Sequence, residues 1–85
     1  MRIDLPLNDW VEVAPLPSMS TYIMQGSLTA GFMFSQADVK PPHDSVGFIV
    51  RGDTIIEDRL AGTARLWVRA VEATQNNGYC VVEVR

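Results

Sequence analysis

The stretch Arg65-Leu66-Trp67-Val68-Arg69-Ala70-Val71 decides how the rest of the chain is interpreted. As a strand it alternates, with Leu66, Val68 and Ala70 on one face and two arginines flanking Trp67 on the other. A helix is the alternative, because apolar residues also recur at helical spacing between residues 60 and 71. A glycine inside that run would cost a helix about 1 kcal/mol relative to alanine, which favours the strand.

The dipeptide Asn77-Gly78 supports the strand, because Asn-Gly is a strong signal for a two-residue hairpin loop. Such a loop would pair the stretch with the C-terminal run, placing Val71 opposite Val84 and Ala73 opposite Val82. The sequence therefore predicts a C-terminal β-hairpin built from these two strands.

Other alternating or β-prone runs, bounded by proline, glycine or asparagine, predict six further strands. They cover residues 9–14, 20–25, 27–34, 45–51, 54–57 and 79–84. Gly31 within one run predicts a bulge or a close backbone approach. Residues 1–8 are expected to be extended, either as an N-terminal arm on a neighbouring subunit or as a loosely held terminus. The prediction is one all-β domain over residues 1–85, a small antiparallel β-sandwich or barrel of about seven strands.

A single core in a chain of 85 residues is only marginally stable unless disulfides, metals or oligomerisation add to it. One cysteine and one histidine are too few for an internal disulfide or a zinc cage. The composition, with 47% hydrophobic and 20% charged residues, instead favours a symmetric homo-oligomer.

Several classes of partner and environment are disfavoured by charge and hydropathy. The net charge of −3 and the absence of a basic run argue against nucleic acid as a partner. No apolar stretch approaches the roughly 20 residues that cross a bilayer, and the N-terminus does not resemble a signal peptide. We therefore expect no membrane partner, and a chain that is made in a cytosol and used without processing.

No catalytic, cofactor or metal site is predicted, and enzyme activity is not expected. His43 and Asp44 lie in a proline-containing surface loop, Gln36 to Ser45, where adjacent side chains on an extended chain point apart. Cys80 lacks a nearby base in the sequence and is expected to be a small buried hydrophobe.

Candidate contact residues are Arg65, Trp67, Arg69, Trp10 and Tyr22, because tryptophan, tyrosine and arginine are enriched at interface hot spots. The alternative for Trp67 is packing inside its own chain, with the two arginines solvated. Both alternatives remain open from the sequence.

Six short pieces of sequence, taken in order, form a pattern that covers most of the chain. They are Trp10-Val11, Tyr22-Ile23-Met24-Gln25, Pro41-Pro42, Gly47-Phe48-Ile49-Val50, Leu66-Trp67-Val68-Arg69-Ala70 and Cys80-Val81-Val82-Glu83-Val84. The pattern resembles small all-β structural proteins encoded by tailed bacteriophages, of the head decoration, cement or fibre-associated type.

This resemblance implies a non-enzymatic virion protein, often a homotrimer, made in the host cytoplasm. Its partners would be further copies of itself and a major capsid protein or another virion protein. The alternative is a receptor- or glycan-binding module of a phage tail or fibre, presenting the loop Gln36 to Ser45 with Tyr22, Trp10 and His43 as contact residues.

Overall fold

The computed structural model describes residues 1–13, 15–26, 31–51, 54–71 and 78–85. These residues form eight strands and no helix. The strands are β1 (Arg2–Asp4), β2 (Val11–Glu12), β3 (Thr21–Gly26), β4 (Phe32–Ala37), β5 (Phe48–Val50), β6 (Ile55–Arg59), β7 (Arg65–Ala70) and β8 (Tyr79–Val84). Sheet A has the strand order β1-β8-β3-β6 and sheet B the order β2-β7-β4-β5, and every described pairing is antiparallel.

The predicted all-β fold is confirmed, as a small sandwich of two four-stranded sheets. Because side chains alternate along a strand, each sheet turns every second residue inward. The buried residues that these inner faces contribute are Tyr22, Met24, Cys80 and Val82 from sheet A, and Phe32, Phe34, Val50, Leu66, Val68 and Ala70 from sheet B. They belong to one hydrophobic cluster, which is the core between the sheets.

The strand interpretation of Arg65 to Ala70 is confirmed. β7 lies between β2 and β4, inside sheet B. Leu66, Val68 and Ala70 are buried on its inner face, and Trp67 lies on the outer face, as the alternation predicts.

The predicted pairing of β7 with β8 is wrong, because the two strands belong to different sheets. Val82 pairs instead with Met24, and Val84 with Tyr22. Both strands are interior and have a neighbour on each side, so neither has a free edge for the other. Ala73 and the Asn77 of the predicted turn lie outside the described residues.

The N-terminal segment supplies the strand that raises the number from seven to eight. β1 pairs with β8, with Ile3 opposite Cys80. The amino group of Met1 donates to the carbonyl of Val82 at 3.0 Å. The beginning of the predicted arm, residues 1–8, is thus extended but lies on the edge of its own sheet A.

The middle of the chain differs from the prediction by a few residues. β4 runs on to Ala37, which pairs with Arg65, so the first two residues of the predicted loop are strand. A side chain at Gly31 would place its Cβ 2.8 Å from the carbonyl oxygen of Val50, which confirms the predicted close approach. Residues 27–30 of the predicted strand and the predicted turn at 52–53 lie outside the described residues.

Candidate assembly surface

Four strands form the sheet edges in the described part of the chain: β1 and β6 in sheet A, β2 and β5 in sheet B. Three of them contain charged residues, which hinder pairing with another chain. β5, with the sequence Phe48-Ile49-Val50, contains none. β5 is therefore the edge on which an additional strand meets the least charge.

The backbone N–H and C=O of Ile49 point away from sheet B. In β7, the carbonyl of Leu66 and the N–H of Ala70 form hydrogen bonds on the β2 side, at 2.9 and 3.0 Å. The direction of the backbone N–H and C=O alternates from residue to residue along an antiparallel strand. The backbone groups of Arg69 therefore point to the other side, toward its partner Met33 in β4. The backbone N–H and C=O of Met33 point toward β7 and thus away from β5. Ile49, opposite Met33 in β5, therefore directs its own backbone N–H and C=O to the open edge.

Apolar side chains accompany this backbone edge. Val46 is 79% exposed, Phe48 73% and Ile49 56%. The Phe48 ring touches Phe34, with centroids 5.5 Å apart, yet most of it faces solvent. An aromatic side chain of this size leaves roughly 110–180 Å² of apolar area in water at that exposure. We call Val46, Phe48, Ile49 and the open backbone of β5 the β5 edge surface.

A second, smaller cluster fixes the segment that leads into β5. Trp10, Met33 and Trp67 pack together on the outer face of sheet B, with Trp10 only 3% and Trp67 only 7% exposed. Trp67 donates its Nε1–H to the carbonyl of Ala37 at 3.1 Å, and Trp10 donates to that of Pro42 at 3.1 Å. The segment between β4 and β5, residues 38–47, is called the 38–47 loop. Trp10 anchors this loop at Pro42, and Trp67 holds the last residue of β4, where the loop begins. Most of the loop is exposed, as the surface-loop prediction has it.

Gly47 lets the end of this loop pass close to sheet B. A Cβ at Gly47 would lie 2.4 Å from the carbonyl oxygen of Phe34 and 2.8 Å from the ring of Trp10. Both contacts are shorter than real Cβ atoms make. The absence of a side chain at Gly47 is therefore a condition for the position of β5.

Polar contacts hold the other end of the loop. Lys40 Nζ lies 2.5 Å from the carboxylate of Asp9, and this hydrogen bond is the main reason why the pKa of Asp9 is lowered. Arg69 donates to the carbonyls of His43 and Leu7, and its guanidinium lies 5.8 Å from the centre of the Trp10 ring. The loop is thus linked to Asp9, in the segment before β2, and to Arg69 of β7.

The five predicted contact residues have mixed outcomes. Trp10, Trp67 and Tyr22 are buried inside their own chain, which for Trp67 is the second of the two alternatives that the sequence left open. Arg69 is half-buried by the 38–47 loop contacts. Arg65 is exposed and forms an ion pair with Glu12 at 3.6 Å. Sequence reasoning missed the β5 edge surface, whose signal was an uncharged run from residue 45 to residue 50.

Tyr22 takes part in a hydrogen-bonded group that joins the two sheets. Its hydroxyl donates to Asp58 at 3.3 Å and accepts from Gln36 Nε2 at 2.9 Å. Gln36, from sheet B, also donates to the carbonyl of Arg59 at 2.8 Å and accepts from the N–H of Ala61 at 2.8 Å. Burial raises the pKa of Tyr22 to about 12, so the phenol is neutral and acts as a structural tie.

The remaining chemical groups are dispersed. Cys80 is fully buried, and burial raises the pKa of its thiol to about 12. His43 lies on the exposed part of the loop. In the described residues no three His, Cys, Asp or Glu side chains are grouped as a metal site would need. Nor do those residues include a helix with the length and apolar character to cross a membrane.

A cleft of about 330 Å³ opens at one end of the sandwich. Leu60 and Leu66 contribute apolar lining, and the Glu12–Arg65 ion pair lies on its wall. The two charged groups neutralise one another there, so the cleft does not present a single charge to a ligand.

Comparison with protein-family models, with curated proteins and with solved structures finds no match to this chain.

Proposed function

We propose that this protein is a non-enzymatic structural component that self-assembles through the β5 edge surface. The observation that carries the proposal is the combination of an uncharged edge strand with the exposed side chains of Phe48 and Ile49. Soluble proteins ordinarily protect sheet edges with charge, proline or a covering segment, and exposed apolar edges are typical of sites that pair with another chain.

The assembly that we propose is part of a phage particle, where the protein decorates or cements a capsid. The support for this step is the sequence resemblance, carried chiefly by Leu66-Trp67-Val68-Arg69-Ala70. The chain is small and its single cysteine is free, so contacts with neighbouring subunits would add the stability that a disulfide gives other small domains. Further copies of the chain and a shell protein are the proposed partners.

Binding of a glycan or receptor through the loop has less support. Of its three expected contact residues, Tyr22 and Trp10 are buried. His43 is exposed, although its carbonyl is engaged by Arg69. A carbohydrate would therefore meet neither expected aromatic face on this surface.

Self-assembly is tested by measuring molar mass with size-exclusion chromatography and light scattering. We expect the wild-type chain to exceed the monomer mass of 9.4 kDa, and Ile49→Lys to run as the monomer. Ile55→Lys is the matched control, because Ile55 is a similarly exposed isoleucine (63%) on β6, an edge that already contains charges. A wild-type monomer across the accessible concentration range would refute the proposal.

Particle association needs a separate measurement. Particles purified from the system that encodes the chain are analysed by quantitative mass spectrometry, with the major shell protein as reference. We expect a fixed copy ratio to the shell protein that persists through a density gradient. Absence of the chain from the particles would refute the virion assignment. Self-assembly would still be tested independently by the molar-mass measurement.

A further inference from the structure

The register, the open backbone groups and the charges of the β5 edge surface favour one particular partner. This inference rests on the proposed function and names the partner: we infer that β5 pairs antiparallel with β5 of a second copy about a two-fold axis at Ile49. The two copies of sheet B then join into one eight-stranded sheet.

Register is the first support. β5 has three residues with Ile49 at the centre. A two-fold axis at Ile49 sets Phe48 opposite the partner's Val50 and Val50 opposite the partner's Phe48. Every residue of the strand is thereby paired, whereas an axis at either neighbouring residue leaves part of the strand beyond its partner.

The backbone supplies the second support. The N–H and C=O of Ile49 both point to the open edge, because the β7–β4–β5 ladder directs them away from β4. An axis at Ile49 lets the two isoleucines exchange two hydrogen bonds as a bonded antiparallel pair. The groups that need partners are therefore the ones that the symmetry brings together.

Side chains give the third support. On the inner face the exposed ring of Phe48 comes beside the partner's Val50 and extends the apolar surface of the core. On the outer face the two Ile49 side chains meet. Cross-strand aromatic, β-branched and aliphatic pairs of this kind stabilise antiparallel sheets.

Charges do not oppose the arrangement. The same register places Arg51 opposite the partner's Gly47, so no charged residue of one copy faces a like charge of the other within or next to β5. A corresponding axis at the centre of β6 would set Glu57 against the partner's Glu57, which is unfavourable. β5 therefore tolerates self-pairing, and β6 does not.

β1 is the competing edge, because an axis at Ile3 would set Arg2 against the partner's Asp4. Those two residues already form an ion pair within the chain at 3.4 Å, and the side chain of Ile3 packs against the core. Pairing at β1 would thus cover little exposed apolar surface. The β5 edge surface offers far more.

An isologous contact of this type is closed by two copies. The unit of assembly is therefore a dimer, in place of the trimer that the sequence resemblance implies. Any larger oligomer built on this contact contains an even number of chains.

Disulfide trapping tests the axis directly. In Ile49→Cys the two introduced thiols lie on bonded antiparallel positions, where Cα atoms are about 5.5 Å apart and a disulfide can form. The native Cys80 does not compete, because it is fully buried and its thiol is neutral. We expect mild oxidation to give a covalent dimer in high yield, while Ile55→Cys, the matched control on β6, stays monomeric on a non-reducing gel.

Amide hydrogen exchange of the unmodified chain gives a second readout that needs no variant. The N–H of Ile49 has no acceptor in sheet B, so its protection should appear only on dimerisation and rise with protein concentration. Concentration-dependent protection at Ile49 together with a light-scattering mass of two chains supports the inference. An oligomer that Ile49→Lys disrupts but in which the N–H of Ile49 stays unprotected overturns the two-fold axis and leaves self-assembly through the β5 edge surface intact. Trapping through Ile3→Cys instead of Ile49→Cys, or a monomer, overturns both proposals.

Discussion

Replacing Gly47 by alanine should destabilise the fold far more than its single added methyl group suggests. The new Cβ would lie 2.4 Å from the carbonyl oxygen of Phe34 and 2.8 Å from the ring of Trp10. Neither neighbour yields easily, because one is backbone within β4 and the other is a buried indole held by its hydrogen bond to Pro42. The loop must therefore move away from sheet B.

Overpacking a close-packed site typically costs about 1–3 kcal/mol, and two simultaneous short contacts place Gly47→Ala at about 2–3 kcal/mol. A domain of this length has a free energy of unfolding of roughly 4–13 kcal/mol. The variant should therefore still fold, with a melting temperature lowered by roughly 10–20 °C. Loss of the close approach should also weaken self-assembly, since Gly47 leads directly into β5.

Urea denaturation followed by tryptophan fluorescence measures this loss, because a Cβ at residue 47 would press on the ring of Trp10, which packs with Trp67. The control is Gly62→Ala, where an added Cβ meets nothing within 4 Å. That position has a φ of 49°, so alanine there should cost only about 1 kcal/mol through backbone strain. If Gly47→Ala is no less stable than Gly62→Ala, the loop does not pack as described and the reasoning fails.

Two further predictions concern the core. Met24→Ala should lower the free energy of unfolding by about 2–5 kcal/mol, because it leaves a cavity at a buried site. Met19→Ala, at an exposed site, is the control and should change it by less than about 0.5 kcal/mol. Equal effects of the two variants in urea denaturation would contradict the burial of Met24. The pKa values of Tyr22 and Cys80 are raised to about 12 in the folded chain, from 10.0 and 9.0, so both groups stabilise the fold below their unfolded pKa values. Stability should decline as pH rises from about 9 to 12, and Tyr22→Phe should flatten the part above pH 10; an unchanged profile in that variant would show that Tyr22 is not the titrating group.

The proposed β5 pairing gives the buried tryptophans an indirect part in assembly. Trp10 binds the 38–47 loop to sheet B at Pro42, and Trp67 binds the end of β4 at Ala37. The two indoles pack together and so hold the segment before β5 in place. Their influence on a neighbouring chain would pass through the position of Gly47. In the proposed dimer the tryptophans would therefore position β5 without contacting the partner chain themselves.

Local pattern alone determined that this protein is all-β and which residues of β3 and β7 share a face. Alternation has a period of two residues, so the burial of Leu66 and Val68, and the opposite placement of Trp67, follow from the order of side chains. The same reasoning placed Tyr22 and Met24 on one face of β3. Such information is carried within six residues and does not depend on partners.

Tertiary structure decided which strands pair, because alternation is identical in either sheet. The Asn77-Gly78 signal favoured a hairpin, but β7 and β8 each gain two neighbours and bury their inner faces when they lie in opposite sheets. The Trp10–Trp67 cluster likewise requires β2 to lie beside β7 and a glycine at residue 47, far apart in the chain. The open edge of β5 is visible only once the order of strands is known, since an edge is a property of the whole sheet and not of the strand that forms it.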